Sequence, residues 1–234
     1  MQAFELSRTA RNEHQIKTSG AALAFAGLML LSMWLLGAVG VAGAQTSAVR
    51  YLGVQSTVAT QATNGIGAVQ GLALDAAGNL FAADTANNRV IEIPNVNGTL
   101  NGAGQTVVVA GLSGPSGVAL DAQANLYISD TGSNRVVKVP FQAGSYNAAA
   151  LIVVAAGLNQ PSGVAVDTAA NVYIADTGNN RILKVASGGA QSTVGSGFTS
   201  PTAVAVDSHG NVFVAEYFSN AVIEVQQVAA HRPL

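Results

Sequence analysis

An all-β fold built from repeated units is predicted by three features of the sequence. Four segments align without gaps, each holds short runs rich in β-branched residues, and no 3.6-residue apolar period runs through them. The four repeats are 69–93, 115–139, 161–185 and 201–225. They begin 46, 46 and 40 residues apart, a spacing typical of arrays in which each unit forms one small sheet.

Each repeat predicts three strands, which in the second repeat are 117–120, 125–128 and 135–139. Fourth strands are predicted in the connections that follow the first three repeats: 105–111, 151–157 and 191–197. A matching segment, 54–61, precedes the first repeat, and the last repeat has no such segment after it. We therefore predict a β-propeller of four four-stranded antiparallel blades, in which the N-terminal strand closes the last blade.

The turns repeat as regularly as the strands. Asp-x-x-x-Asn recurs in the turns, and we expect its Asp to accept backbone hydrogen bonds and its Asn to close the turn in the left-handed conformation. After Ala44, 15 of the 17 charged residues occupy repeat-equivalent positions. We expect structural pairs across the second turn: Asp84 with Arg89, Asp130 with Arg135, and Asp176 with Arg181. A catalytic site is built once from unlike residues, so charges copied in each unit indicate architecture.

The block P-x-G-[VL]-A-[VL]-D-x4-N-[LV]-[YF]-[IV]-[AS]-D-T-x-[NS]-N-R-[VI], at 115–136 and 161–182, resembles the NHL repeat. The resemblance covers the aligned segment in all four units and implies a propeller. Propellers of this family more often have six blades, so a fragment that dimerises to close a larger ring is an alternative. Some similar propellers are lyases or lactonases with His ligands or an acid cluster in the central channel.

The residues needed for such catalysis are scarce. After Ala44 only His209 and His231 remain, and the chain has no Cys. A zinc site needs three or four convergent ligands, and a calcium loop gathers six to eight oxygens where each Asp-Thr-Gly loop offers one carboxylate. We therefore predict no enzyme, no cofactor and no metal, with the lyase or lactonase as the alternative.

The fourth repeat departs from the pattern. Asp-Thr-Gly-x-Asn-Arg becomes Glu216-Tyr217-Phe218-Ser219-Asn220-Ala221. Aromatic residues in loops are common anchors for partners, and the alternative, which the sequence slightly favours, is that they pack the closing blade. Phe141 and Tyr146, in a long insert at 140–150, are further candidate contacts. We expect a protein, glycan or cell-wall partner and a monomer rather than a dimer.

Residues 1–44 combine a basic flank, an apolar run over 21–41 and the small-residue end Ala42-Gly43-Ala44. These are the parts of a signal peptide, and the small-residue end favours cleavage. The apolar run approaches bilayer length, so an uncleaved anchor helix is the alternative. Both place 45–234, the propeller region, outside the cytoplasm as a secreted or periplasmic protein. Its seven basic and ten acidic residues argue against nucleic-acid binding.

Overall fold

The computed structural model describes residues 56–60 and 64–227. The predicted signal or anchor segment, 1–44, lies outside the described residues, as does His231. Within the described part of the chain, no helix is long and apolar enough to cross a membrane. This part is built mainly of β-strands, arranged in four antiparallel sheets that we number 1 to 4 along the chain.

Sheets 1 and 2 each contain four strands and carry a small two-stranded hairpin between the third and fourth strands. Sheet 1 and its hairpin comprise β1 (Val69–Leu74), β2 (Leu80–Asp84), β3 (Arg89–Ile93), hairpin strands β4 (Asn95–Val96) and β5 (Thr99–Leu100), and β6 (Thr106–Ala110). Sheet 2 and its hairpin comprise β7 (Pro115–Leu120), β8 (Leu126–Asp130), β9 (Arg135–Val139), hairpin strands β10 (Phe141–Gln142) and β11 (Ser145–Tyr146), and β12 (Ile152–Ala155).

Sheet 3 has four strands and sheet 4 has three. Sheet 3 comprises β13 (Pro161–Val166), β14 (Val172–Asp176), β15 (Arg181–Val185) and β16 (Gln191–Val194). Sheet 4 comprises β17 (Pro201–Val206), β18 (Val212–Glu216) and β19 (Ala221–Val225). Short 3₁₀ turns lie at Thr85–Asn87, Gly102–Gly104, Thr131–Ser133, Ala148–Ala150 and Thr177–Asn179. All-β architecture with several four-stranded antiparallel sheets is thus confirmed.

The core lies between consecutive sheets. The first strands pack in order, β1 on β7, β7 on β13 and β13 on β17. Each joint is filled by one cluster of aliphatic and aromatic side chains from the two facing sheets. At the joint of sheets 3 and 4, Tyr173 and Ile182 pack with Val204 and Val214. Alternating side chains therefore give every internal sheet two apolar faces, which accounts for its near-continuous hydrophobic strands.

The predicted closure of the last sheet by the N-terminal strand is wrong for the residues described. Residues 56–60 form no strand, and Val58 and Ala59 pack against sheet 1 rather than sheet 4. Sheet 4 consequently keeps three strands. Among the described residues β1 and β17 do not pack against each other as consecutive first strands do, so the N-terminal segment is not brought beside β19.

Candidate interaction surface

The second turn of the first three repeats is held by one buried ion pair. The carboxylates of Asp84, Asp130 and Asp176 are fully buried, and each accepts a hydrogen bond of 2.7 Å from an arginine Nε. The arginines are Arg89, Arg135 and Arg181.

The second oxygen of each carboxylate accepts a backbone N–H from the segment before the repeat, at 2.6–2.7 Å. Burial alone would raise the pKa of Asp84, but hydrogen bonds from Asn87, Arg89 and the Gly67 amide outweigh it and hold the pKa below its usual value. Because the same ties stand in three copies, they brace the turns.

The fourth repeat replaces this tie with a different one. Glu216 is buried, and Ala221 stands where the arginine would be. The Glu216 carboxylate accepts hydrogen bonds from the Thr199 backbone amide at 2.8 Å, the Thr199 hydroxyl at 2.8 Å and the Ser219 hydroxyl at 3.3 Å. Neutral donors thus satisfy a carboxylate that has lost its cation, and the loop no longer needs the Asp–Arg geometry.

Tyr217 and Phe218 stand out from this rebuilt loop. Their side chains are 56% and 73% exposed, and their rings meet edge to face with centroids 5.2 Å apart. Val222, close by in the chain, is 64% exposed. Three large apolar side chains within six residues therefore face solvent, and at the positions of Tyr217 and Phe218 the other repeats present Thr and Gly or Ala.

In the first three repeats, the residue that directly follows the buried Asp of the second turn is a threonine with a defined role. The hydroxyls of Thr85, Thr131 and Thr177 each donate a 2.7 Å hydrogen bond to the carbonyl of the proline that opens the next repeat. Tyr217 takes this position in sheet 4, after which the chain has no further repeat. The change from Thr to Tyr therefore falls where a link to a following sheet would be made.

Phe141 and Tyr146 lie opposite each other in the β10–β11 hairpin, with ring centroids 4.9 Å apart. Tyr146 also meets Phe81 of sheet 1 edge to face at 5.4 Å and packs against the core between sheets 1 and 2. Burial, followed by the nearby Glu92, Asp75 and Asp121 carboxylates, raises the pKa of Tyr146. These contacts fasten the hairpin to the core, so this pair is less available to a partner than Tyr217 and Phe218.

His209 is highly exposed, with its Nδ1 3.7 Å from an Asp207 carboxylate oxygen. In the part of the chain that the structure describes, no three side chains of His, Cys, Asp or Glu gather as metal ligands would.

The sequence of the third repeat matches the family model for the NHL repeat over residues 158–185. One of the four repeats therefore matches the NHL repeat by its sequence. A comparison with curated proteins found no match to it. Solved structures with a similar fold are propeller proteins, and the predicted propeller fold is confirmed at that level.

Three of these structures show the extent of the likeness. A streptogramin B lyase gives a TM-score of 0.51 at 11% identity, over 67% of this chain and 53% of the lyase. A protein of unknown function from Bacteroides thetaiotaomicron gives 0.55 at 20% identity, over 68% and 47%. An auxiliary nutrient binding protein from Bacteroides ovatus gives 0.55 at 13% identity, over 68% and 48%. The chain spans about half the length of these three structures.

Proposed function

We propose that this NHL-repeat protein is a non-enzymatic scaffold that binds a protein, glycan or cell-wall component outside the cytoplasm. The observation that carries the proposal is the exposed aromatic pair Tyr217 and Phe218, in the one second turn that departs from the repeat. Tyr and other large aromatics are enriched among residues that dominate binding energy, because they bury much area at low entropic cost. Export is inferred from the basic, apolar and small-residue parts of 1–44.

A scaffold is favoured over an enzyme by the distribution of charge. The charged side chains of the repeats hold turns in equivalent positions, and the buried acid of the fourth repeat is satisfied by Thr199 and Ser219. The fold shared with a streptogramin B lyase at 11% identity carries no residue-level chemistry to this chain.

The test replaces Tyr217→Thr and Phe218→Gly together, which restores the residues found at 131–132. Binding of the full-length chain to purified peptidoglycan sacculi is measured by co-sedimentation, and binding to envelope proteins by chemical cross-linking. Because two exposed aromatic anchors are removed, we expect binding to weaken about 30-fold, equivalent to about 2 kcal/mol.

Val153→Thr is the matched control, since Val153 is also an exposed apolar side chain and lies on sheet 2. It should bind as the unaltered chain does. Unchanged binding by the double variant, or a lower unfolding midpoint, would show instead that the two aromatics serve packing.

A further inference from the structure

Sheet 4 exposes an apolar face that the other sheets bury. This outer face of sheet 4 consists of Ala203, Ala205, Phe213, Ala215 and Val222, which line one shallow depression. In sheet 3 the equivalent side chains Tyr173, Ala175 and Ile182 are covered by sheet 4. Ile182 is 0% exposed, whereas Val222 in the same position is 64% exposed. The same position is also fully buried in sheets 1 and 2, so the fold shows three times what covers such a face: another repeat.

Sheet 4 also has one strand fewer than the other sheets among the described residues. Sheets 1 to 3 each end in a fourth strand paired to their third, whereas no strand of the described residues pairs with the outer side of β19. An exposed edge of β19 presents unpaired backbone N–H and C=O groups to any strand of matching register.

At the N-terminal end of the repeat array, a segment before sheet 1 corresponds to the fourth strand that sheet 4 lacks. Val58 and Ala59, with Ile66, pack against Ala82 and Ile91 of sheet 1. Between sheets 1 and 2 the corresponding cover is given by the fourth strand and the linker after it, through Val108, Val109 and Leu112. Ile66 is the repeat equivalent of Leu112. Sheet 1 therefore bears, on its free side, a segment in the place of a preceding sheet's fourth strand.

The part of this free side formed by β1 and β2 is only partly covered. Leu72 and Leu80 are half-buried, and Val69 and Leu74 are exposed. Their equivalents in sheet 3, which include Val164 and Val172, are buried by sheet 2. One end of the array thus lacks a fourth strand and shows an apolar face, and the other end offers that strand and an apolar surface beside it.

We propose that two copies of this chain join head to tail, with the outer face of sheet 4 packed on sheet 1 of the second copy. Residues 56–60 of the second copy then lie beside β19 as its fourth strand. Two such joints related by a two-fold axis close a ring of eight sheets, which is within the range known for propellers.

The joint between copies differs from the internal joints at one contact. A side chain on Gly71, Gly117 or Gly163 would collide with the backbone of the following sheet. Sheet 4 has Ala203 at this position, and Tyr217 replaces the threonine that bonds to the next sheet. The first strands therefore stand farther apart where the copies meet, by the room that the methyl group of Ala203 needs.

The test uses the absence of Cys from the chain. At the internal joint, a Cβ on Gly163 would lie 3.0 Å from the Thr202 carbonyl oxygen, and the equivalent pair across copies is Ala203 and Gln70. Full-length Ala203→Cys and Gln70→Cys chains, tagged to differ in size, are co-expressed, oxidised in intact cells and separated without reductant. We expect a mixed disulfide dimer of intermediate size. In the control, Ser145→Cys replaces Ala203→Cys, because Ser145 is exposed on the β10–β11 hairpin. This pair should give about tenfold less mixed disulfide dimer.

Each other result overturns the proposal. A dimer of Ala203→Cys with itself would show face-to-face pairing of sheet 4, and no dimer from chains with unaltered circular dichroism would show that the face stays free.

In a second measurement, Val222→Asp added to the Ala203→Cys chain should reduce the mixed dimer at least about tenfold, because it puts a charge in the joint. Val222→Asp leaves Tyr217 and Phe218 in place, so retained partner binding with loss of the dimer separates this proposal from the scaffold function.

Discussion

At the scale of single residues, the two asparagines of a repeat serve its turns in different ways. Asn134, which closes the second turn, is left-handed with φ 53°, and its Oδ1 accepts the backbone N–H of Gln160. Asn125, in the first turn, instead donates its side-chain amide to Asp121, and its Oδ1 accepts the Phe141 amide. The expectation of a left-handed Asn was therefore right for the second turn and wrong for the first, where the preceding residue takes that conformation.

That preceding residue is glycine in two repeats and alanine in two. Gly78 and Gly210 have φ 82° and 85°, whereas Ala124 and Ala170 are held at φ 60°. The Asp121 carboxylate imposes this by accepting the Gln123 and Asn125 amides at 3.0 and 2.9 Å. Because the left-handed conformation costs a residue with a Cβ about 1 kcal/mol, the two alanines store strain that glycine does not.

Replacing Ala124→Gly should therefore stabilise the chain by about 0.5 kcal/mol, because the relief of about 1 kcal/mol of strain exceeds the cost of the added chain entropy, about 0.5 kcal/mol. Urea unfolding of the full-length protein, followed by circular dichroism, measures the change. Ala122→Gly is the control in the same turn, because Ala122 is exposed and does not have a positive φ. It should leave stability unchanged or lower it, and equal effects of the two substitutions would contradict the strain argument.

At the scale of strands and sheets, the repeat pattern predicted most of the fold. In the second repeat, the predicted bounds of the third strand, 135–139, agree with those of β9 at both ends. The run of β-branched residues and the Asn before it define the two ends. The hairpins β4–β5 and β10–β11 were missed. Asn97-Gly98 in the first hairpin, with φ 54° and 82°, is a strong signal for a tight hairpin turn, but strands of two residues give no alternation to detect.

The outer face of sheet 4 was also missed, although the sequence holds a signal for it. Aligning the repeats shows Ala203 in the place of Gly71, Gly117 and Gly163. What those glycines do follows only from the distance between neighbouring sheets, which no local pattern reports. The break in the repeat at Tyr217 and Phe218, by contrast, was visible in the sequence, because loss of the Asp and Arg together signals a rebuilt loop. That these two aromatics anchor a partner stays a prediction.

Because neighbouring sheets approach closely at Gly117, we expect Gly117→Ala to lower the stability of the chain. The added methyl group would meet the Ser162 carbonyl and lie 3.1 Å from the Val164 amide nitrogen, so sheets 2 and 3 must separate. Overpacking of this kind costs about 1–3 kcal/mol, and urea unfolding should show a loss in that range. Gly188→Ala is the matched control, since it has open space around it and no positive φ, and it should be neutral. A neutral Gly117→Ala would mean that the sheets yield without cost.

At the scale of the whole chain, the repeats form an ordered series with two unlike ends. Counting strands in the sequence found one fourth strand too many at the start and one too few at the end. The sequence could not show where that strand lies, because its place depends on the angle accumulated over four sheets rather than on any local pattern. The structure sets Val58 and Ala59 on sheet 1, and among the described residues no strand pairs with the outer edge of β19.

Hydrogen exchange should distinguish a free end from a paired one. Within the described part of the chain, amides on the outer edge of β19 lack the partner strand that β9 and β15 have, so in a dilute monomer they should exchange much faster than their equivalents. If copies join head to tail, protection of β19 and of residues 56–60 should rise together with protein concentration, while that of β9 stays constant. Exchange of the full-length chain, followed by mass spectrometry over a hundredfold concentration range, provides the measurement. Fast exchange of β19 at every concentration would leave sheet 4 as a true end, and slow exchange at every concentration would mean that its edge is covered within one chain.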